Sequence, residues 1–530
     1  MLRATALGAL AVVSGLVPAI PTSAATAPAP VPCAPLSSVN DRCPVWGTEY
    51  DYPGGRDNLG LQEARALAMS PSGSRVYVTG AALDDETFSD ASTQAYDAAT
   101  GALLWSARHD GPKHQGDGGW GIAVAPDGSQ VFVTGTETVG DPGTGAQTIG
   151  DFVTIAYDAA TGAERWVARY AGPDGGDDRA RFVVVSSEGS RVYVAGYQNG
   201  SDVTVVAYDT TAGDQVWVTR YGGADGSLDS VSGLAVAPDG STVYVAGSEA
   251  AGLLSTDPSR FLALALSAGT GHERWVAHYQ GPGAGHDLAL GLALSSDGSR
   301  IFVTGQSKGT TTDFDFATAA FDASDGETLW TARYDGGAVA GLDRARAVAV
   351  SPDGRRVFVT GESIGEVVET PRPPVAQGLA VATVAYDAST GAQQWAARYH
   401  TTGHLDDEPR GIVANGSRVF VTGFSAPVFA NDGQYSGFGA SSDGDAFVEN
   451  DGAASFLTLA YESGSGIPSW TALWTRTPGD SGVPRAAALS ADGRRLFIAG
   501  TFARPFGYNR AGNDTVENYS DAWTLAYDTP

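Results

Sequence analysis

Ala156-Tyr157-Asp158-Ala159-Ala160-Thr161-Gly162-Ala163-Glu164-Arg165-Trp166 is one of several near-copies in this chain. The string recurs at 95–105 and 385–395, with Ala, Asp, Thr, Gly and Trp at the same offsets. Looser copies end at Trp217, Trp275, Trp330 and Trp470. A second string precedes each copy, typified by Ser351-Pro352-Asp353-Gly354-Arg355-Arg356-Val357-Phe358-Val359-Thr360-Gly361. Self-similarity at a spacing of roughly 50 to 80 residues marks a repeat architecture.

One repeat, 179–221, shows how the unit folds. Phe182 to Val185 is a short apolar run and reads as a first strand. The tight turn Ser187-Glu188-Gly189-Ser190 follows. Sister copies read Pro-Asp-Gly there, where Pro presets φ and Gly accepts a positive one. Arg191 to Gly196 is rich in β-branched and aromatic residues and reads as strand two. Val203 to Tyr208 and Val216 to Tyr221 supply strands three and four, separated by a turn at 209–213. A single sheet of this kind cannot bury both faces, whereas several packed radially can. Eight copies of the second string occur, marked by Gly73, Gly128, Gly189, Gly240, Gly298, Gly354, Gly416 and Gly493, but only seven are followed by complete third and fourth strands. The missing strand lies at the other end of the chain, where Val45 to Tyr50 resembles Arg165 to Tyr170. The expected fold is therefore all-β: a single eight-bladed β-propeller of four-stranded antiparallel blades spanning 44–530, its last blade closed by the N-terminal strand 44–51. The recurring Trp is expected to fill the wedge between blades, its N–H on a backbone carbonyl.

Composition agrees with this. The chain has 530 residues, 70 Gly and only 17% charged residues, and no long stretch carries a helical apolar period. Residues 1–25 read as a secretory signal, with Arg3, an apolar run from Ala6 to Ile20 and small residues at Thr22 to Ala25. The segment 26–43 carries the two cysteines, Cys33 and Cys43. An oxidising compartment would let them pair. A secreted, extracellular monomer without a membrane span or C-terminal anchor is expected. The formal charge of -28 disfavours nucleic acid and anionic membranes.

The Ala-x-Asp-x-x-Thr-Gly-x-x-x-Trp spacing resembles the tryptophan-docking motif of pyrroloquinoline quinone (PQQ)-type propellers, including the quinoprotein alcohol dehydrogenases. It is also similar to PQQ-like repeat scaffolds that bind no cofactor. The Asp-Gly-x-x-Val-Phe-Val-Thr-Gly string resembles the YVTN-type repeats of surface propellers. The dehydrogenase resemblance implies adjacent cysteines beside the cofactor, calcium ligands and a catalytic Asp. Here Cys33 and Cys43 have nine residues between them and lie outside the repeats, and no matching catalytic set is placed. No PQQ or other cofactor is expected on this reading, and no catalytic residue is assigned.

Candidate sites are then sought on the face bearing the variable loops, between strands two and three and between blades. The long loops 424–454 and 501–521 contain Phe429, Tyr435, Phe438, Phe506 and Tyr508 among short polar residues. Such segments suit recognition of an extracellular protein or glycan. Asp117, Asp178, Asp229, Asp287 and Asp343 each lie eight residues before the Ser or Ala that ends a first strand. Together they form either a calcium site or a set of structural caps on their own tight connections. His400, His404 and Asp407 offer a transition-metal or acid–base group. The functions in view are a non-enzymatic binding or scaffolding propeller, a PQQ-type oxidoreductase, and a propeller hydrolase or lyase.

Overall fold

The computed structural model describes residues 42–50, 62–83, 89–139, 149–173, 175–198, 202–222, 229–250, 258–283, 285–337, 342–364, 378–401, 405–427, 454–476, 480–503 and 520–529. Among them the regular elements are all strands, arranged as eight antiparallel sheets of four. Blades 1 to 7 each use consecutive strands, within residues 62–109, 118–170, 178–221, 229–279, 287–334, 343–399 and 405–474. Blade 8 takes Ser481–Leu489, Arg495–Ala503 and Ser520–Asp528, and Trp46–Tyr50 completes it. That strand runs antiparallel to Ser520–Asp528, from Trp46 opposite Ala526 to Tyr50 opposite Ala522. First strands of neighbouring blades touch all the way round, including blade 8 against blade 1. The result is a closed ring about a central channel. Among the described residues no helix is long and apolar enough to cross a membrane.

The core is divided into layers. Eight main clusters of buried side chains each draw on two adjacent blades, one cluster per interface. Second strands are covered on both faces, which explains their unbroken apolar runs. Val192, Tyr193 and Val194 are all buried, for example.

Each outer-strand Trp docks on the next blade. Trp46, Trp105, Trp166, Trp217, Trp275, Trp330 and Trp395 donate their indole N–H to the carbonyls of Ala98, Ala159, Thr210, Ala268, Ala323, Ala388 and Ser463, at 2.9–3.2 Å. The ring lies against the Gly of the Thr-Gly turn. Gly101 has φ +75°, and a Cβ there would come within 2.6 Å of the Trp46 ring. Only glycine meets both demands. The Trp470 ring is held differently: it stacks on Tyr527 with centroids 5.8 Å apart, and the Arg42 guanidinium lies 5.6 Å from its centroid. Arg42 also donates Nη1 to the Asp528 carbonyl and its backbone N–H to Thr471, both at 3.1 Å. The residues before Trp46 thus tie blade 7 to blade 8. Cys43 lies in this stretch, while Cys33 and the leader 1–25 fall outside the described residues.

Candidate functional site

Every first strand carries a β-bulge. One residue in each is left out of the ladder: Arg65, Trp120, Arg181, Ser232, Leu290, Arg346, Arg410 and Arg485. A bulge bends its strand and re-aims the extra side chain. Repeated on the innermost strand, it places eight side chains around the channel, five of them Arg. The Gly that ends each Val-Thr-Gly or Val-Ala-Gly string sits opposite. A Cβ on Gly80, Gly196 or Gly361 would collide with the strand-one carbonyl of Glu63, Arg179 or Arg344. The motif glycine therefore exists to admit the bulge.

Two charged groups result. Arg65 from blade 1 and Arg181 from blade 3 lie over the Trp120 ring of blade 2, at 3.8 and 3.9 Å from its centroid. A ring touched from both neighbouring blades has both faces covered by guanidinium. Arg65 Nε also donates to Glu63 Oε2 at 2.9 Å, and Arg181 Nη2 to the Tyr197 hydroxyl at 3.3 Å. Beside Arg65 and Trp120 opens a cavity of about 230 Å³, which Arg179, Asp177 and Thr138 also line. Across the ring, Glu362 is fully buried and takes Arg344 and Arg346 at 2.7 Å. Burial alone would raise its pKa, but Arg346 and Arg344 outweigh that and hold it below the usual value. Neighbouring Glu408 pairs with Arg410 at 3.4 Å. Burial and then repulsion from Glu362 push its pKa up to about 7.

The Asp series caps its own connections. Asp117 accepts the backbone N–H of Gly111 at 2.6 Å and of Thr138 at 2.9 Å. Asp287 does the same for Gly281 and Lys308, at 2.6 and 3.1 Å. Asp178 takes Gly172 N–H at 2.5 Å and Asp343 takes Gly336 N–H at 2.8 Å. Asp229 begins the first strand of blade 4, in the equivalent place. The described members of the series are not brought together with one another. Asp117 instead lies near Asp90 and Asp110, and Asp343 near Asp315 and Asp335. All six of these carboxylates already accept from groups of the protein: Arg108 on Asp90, His114 on Asp110, Arg333 on Asp315, and Gly337 N–H on Asp335.

Asp407 is the blade 7 counterpart, and it takes the N–H and hydroxyl of Thr401 at 2.6 and 2.8 Å. His400 Nδ1 lies 2.8 Å from the Thr401 carbonyl and 3.6 Å from Asp407. His404 lies outside the described residues, as do Phe429, Tyr435, Phe438, Phe506 and Tyr508. Phe502, which the sequence places in the eighth loop, instead belongs to the strand Arg495–Ala503, fully buried against Phe456 and Trp474. The bulge ring has no signature within strand one. Its signal is the glycine repeated in strand two.

Fold and channel together define a closed propeller with a charged axial mouth. The family described as outer membrane protein assembly factor BamB matches residues 89–312 and 262–434, and the chain belongs to this PQQ-like repeat family. No curated protein matches it in sequence. Among solved structures it is similar to Sqt1 of Chaetomium thermophilum bound to the N-terminus of the ribosomal protein L10, at 11% identity and TM-score 0.51, over 92% of this chain and 100% of that one. Quinohemoprotein alcohol dehydrogenase ADHIIG of Pseudomonas putida HK5 is similar at 16% identity and TM-score 0.50, over 94% and 78%. BamB from Moraxella catarrhalis gives 16% identity and TM-score 0.44, over 91% and 99%.

The quinone that such dehydrogenases carry is a flat, conjugated ring system. Among the eight bulge residues Trp120 is the one aromatic, and both its faces are already covered by Arg65 and Arg181. Among the described bulge residues, then, no uncovered aromatic face is left for a quinone to stack on.

Proposed function

We propose that the chain is a secreted, non-enzymatic propeller that holds an extracellular protein partner against the face bearing its variable loops. The observation that carries this reading is the Arg65–Trp120–Arg181 stack on the innermost strands, beside a cavity of about 230 Å³ that Arg179, Asp177 and Asp117 also line. Guanidinium groups ordered on an aromatic ring suit recognition of fixed anionic groups. Because Trp120 has no uncovered face, a sugar ring gains no stacking platform there, which favours protein over glycan. Sqt1, a propeller of similar fold, is bound to the N-terminus of a ribosomal protein. That precedent supports a protein-binding role without naming this chain's partner.

The second reading is a PQQ-type oxidoreductase, prompted by the similar fold of quinohemoprotein alcohol dehydrogenase ADHIIG. A hydrolase or lyase centred on His400 and Asp407 has less support, since the Asp407 carboxylate is taken up by Thr401. Metal and cofactor analysis of protein purified from its native host, with an assay for dye-linked alcohol oxidation, separates these readings. No bound quinone and no turnover are expected. Stoichiometric quinone with turnover would overturn the binding role.

A further inference from the structure

We infer that a carboxylate group binds on the face of the tight turns, between blades 7 and 8, held by Trp470 and Arg418. This face lies opposite the variable loops, so the site does not depend on the role proposed above.

The repeat itself shows what these two side chains require. In blade 1, Arg75 Nη1 and Trp105 Nε1 both donate to the Ala159 carbonyl of blade 2, at 2.6 and 3.1 Å. In blade 8, Arg495 Nη1 and Trp46 Nε1 meet on the Ala98 carbonyl of blade 1, at 2.9 and 3.2 Å. Arg418 and Trp470 hold the same two places in blade 7. Arg418 opens strand two, two residues before Phe420, whose ring lies 6.0 Å from that of Trp470. Arg75 likewise stands two residues before Tyr77, which lies beside Trp105. Yet Arg418 Nη1 and Trp470 Nε1 are both buried, and no protein atom accepts from either.

The cause lies in the ring closure. The accepting carbonyl elsewhere belongs to the residue after the turn Asp, within Asp-x-x-Thr-Gly. Blade 8 takes its fourth strand from Trp46–Tyr50, and after its third strand the sequence reads Asp528-Thr529-Pro530. Thr529 keeps the repeat's backbone bond, its N–H on the Arg494 carbonyl as the Ala98 N–H is on that of Ser74. Its own carbonyl takes neither donor.

Charge points to an anion as the acceptor. Arg42 lies over the Trp470 ring, and its Nη1 donates to a neutral carbonyl, that of Asp528. Burial and then the Arg418 charge outweigh Asp528 and hold the Arg42 pKa below its usual value, so the two guanidinium groups act on one another. The carboxylates of the adjoining strands are engaged elsewhere. Glu462, opposite Arg418 in the ladder, takes the Ser465 hydroxyl at 2.9 Å, and Asp528 takes Arg495 at 3.1 Å. Two guanidinium groups facing one buried indole are costly unless an anion joins them. A carboxylate is planar, as is the peptide carbonyl that serves the other blades. Its two oxygens match a guanidinium fork and have lone pairs to spare for the indole N–H.

The test is proton–nitrogen correlation NMR of the indole N–H signals of the folded, full chain. Sodium acetate is titrated in at constant ionic strength set with sodium chloride. The Trp470 signal, identified by its loss in Trp470→Phe, should shift saturably. That of Trp46, already bonded to Ala98, should stay in place. Arg418→Gln should weaken acetate binding about tenfold or more. Arg355→Gln, exposed on the same face in blade 6, should leave it unchanged. Should Arg418→Gln fail to fold, Arg418→Lys keeps the charge and loses the fork, and a severalfold loss is expected. Acetyl-triglycine and its C-terminal amide separate the sources of the carboxylate. Tighter binding of the free acid than of acetate assigns the site to a peptide terminus, and equal or weaker binding assigns it to a free carboxylate. A Trp470 signal that neither acid moves overturns the inference, as does one that the amide moves equally. Phosphate that binds more tightly than acetate overturns it in favour of a general anion site. A variant with two glycines added after Pro530 that responds while the wild type does not also overturns it, and gives the place to the chain's own last residue.

Discussion

A carboxylate buried in a sheet protein keeps its charge cheaply only where donors meet it, and at Asp178 and Asp287 backbone amides do so. Asp178→Ala and Asp287→Ala should each cost roughly 0.5 to 2 kcal/mol. The two sit in separate blades, so the double variant should cost nearly the sum. Calcium should leave the wild-type melting temperature unchanged, because these carboxylates act one blade at a time. A calcium-induced rise abolished by one Asp→Ala would argue for a shared ion. His109 makes the opposite electrostatic case. Burial lowers its pKa, but Glu137 at 3.3 Å and Glu164 at 3.2 Å outweigh that and raise it to about 9. The unfolded value is near 6.5. A raised folded pKa means this stabilisation is complete below about pH 6.5 and lost as pH climbs through about 9. Melting curves across that window should fall more steeply for the wild type than for His109→Gln. Sequence alone showed the periodic Asp as a residue that repeats with the blade. It offered the amide of the tight connection as one of two readings, but not the second amide, which belongs to the end of strand two.

Among elements, the strand Trp46–Tyr50 has the largest consequence. Without it, Ser520–Asp528 becomes an open edge, and Arg42 no longer ties Trp470 to Asp528. Deleting residues 26–50 should lower the melting temperature of the whole ring, since an uncovered edge strand is a site of mispairing. A truncated protein that melts like the mature one would show closure to be dispensable. The pairing of Cys33 with Cys43 is testable in the same material. A loop of this size is worth on the order of 2 to 3 kcal/mol when unstrained. Non-reducing mass spectrometry of protein made in an oxidising compartment should find no alkylatable thiol. The strands were readable because Pro-Asp-Gly and Thr-Gly turns punctuate them at fixed offsets. The bulges were not, because a single extra residue inside Gln62–Met69 leaves the apolar pattern nearly untouched. Phe502 was misplaced for a related reason: strand two continues past its glycine, where the turn signals stop.

At the scale of the molecule, acidic repulsion opposes compactness. With a formal charge of -28, added salt should raise the melting temperature until screening is complete, near the roughly 3 Å Debye length of 1 M salt. Differential scanning calorimetry across a salt series checks this, and a flat response would mean that local ion pairs already offset the repulsion. Ring closure also shapes how the molecule is made. Arg42 and Asp528 bond across 486 residues of chain. Native contacts of such separation are slow to find and are disfavoured by loop-closure entropy. Blades 1 to 7 can each assemble from neighbouring sequence as they emerge, but the eighth waits for the first-made strand to meet the last. Synthesis therefore ends with an almost complete ring holding one unsatisfied seam, and a chaperone that shields that seam would act on the slowest and most aggregation-exposed moment of its biogenesis.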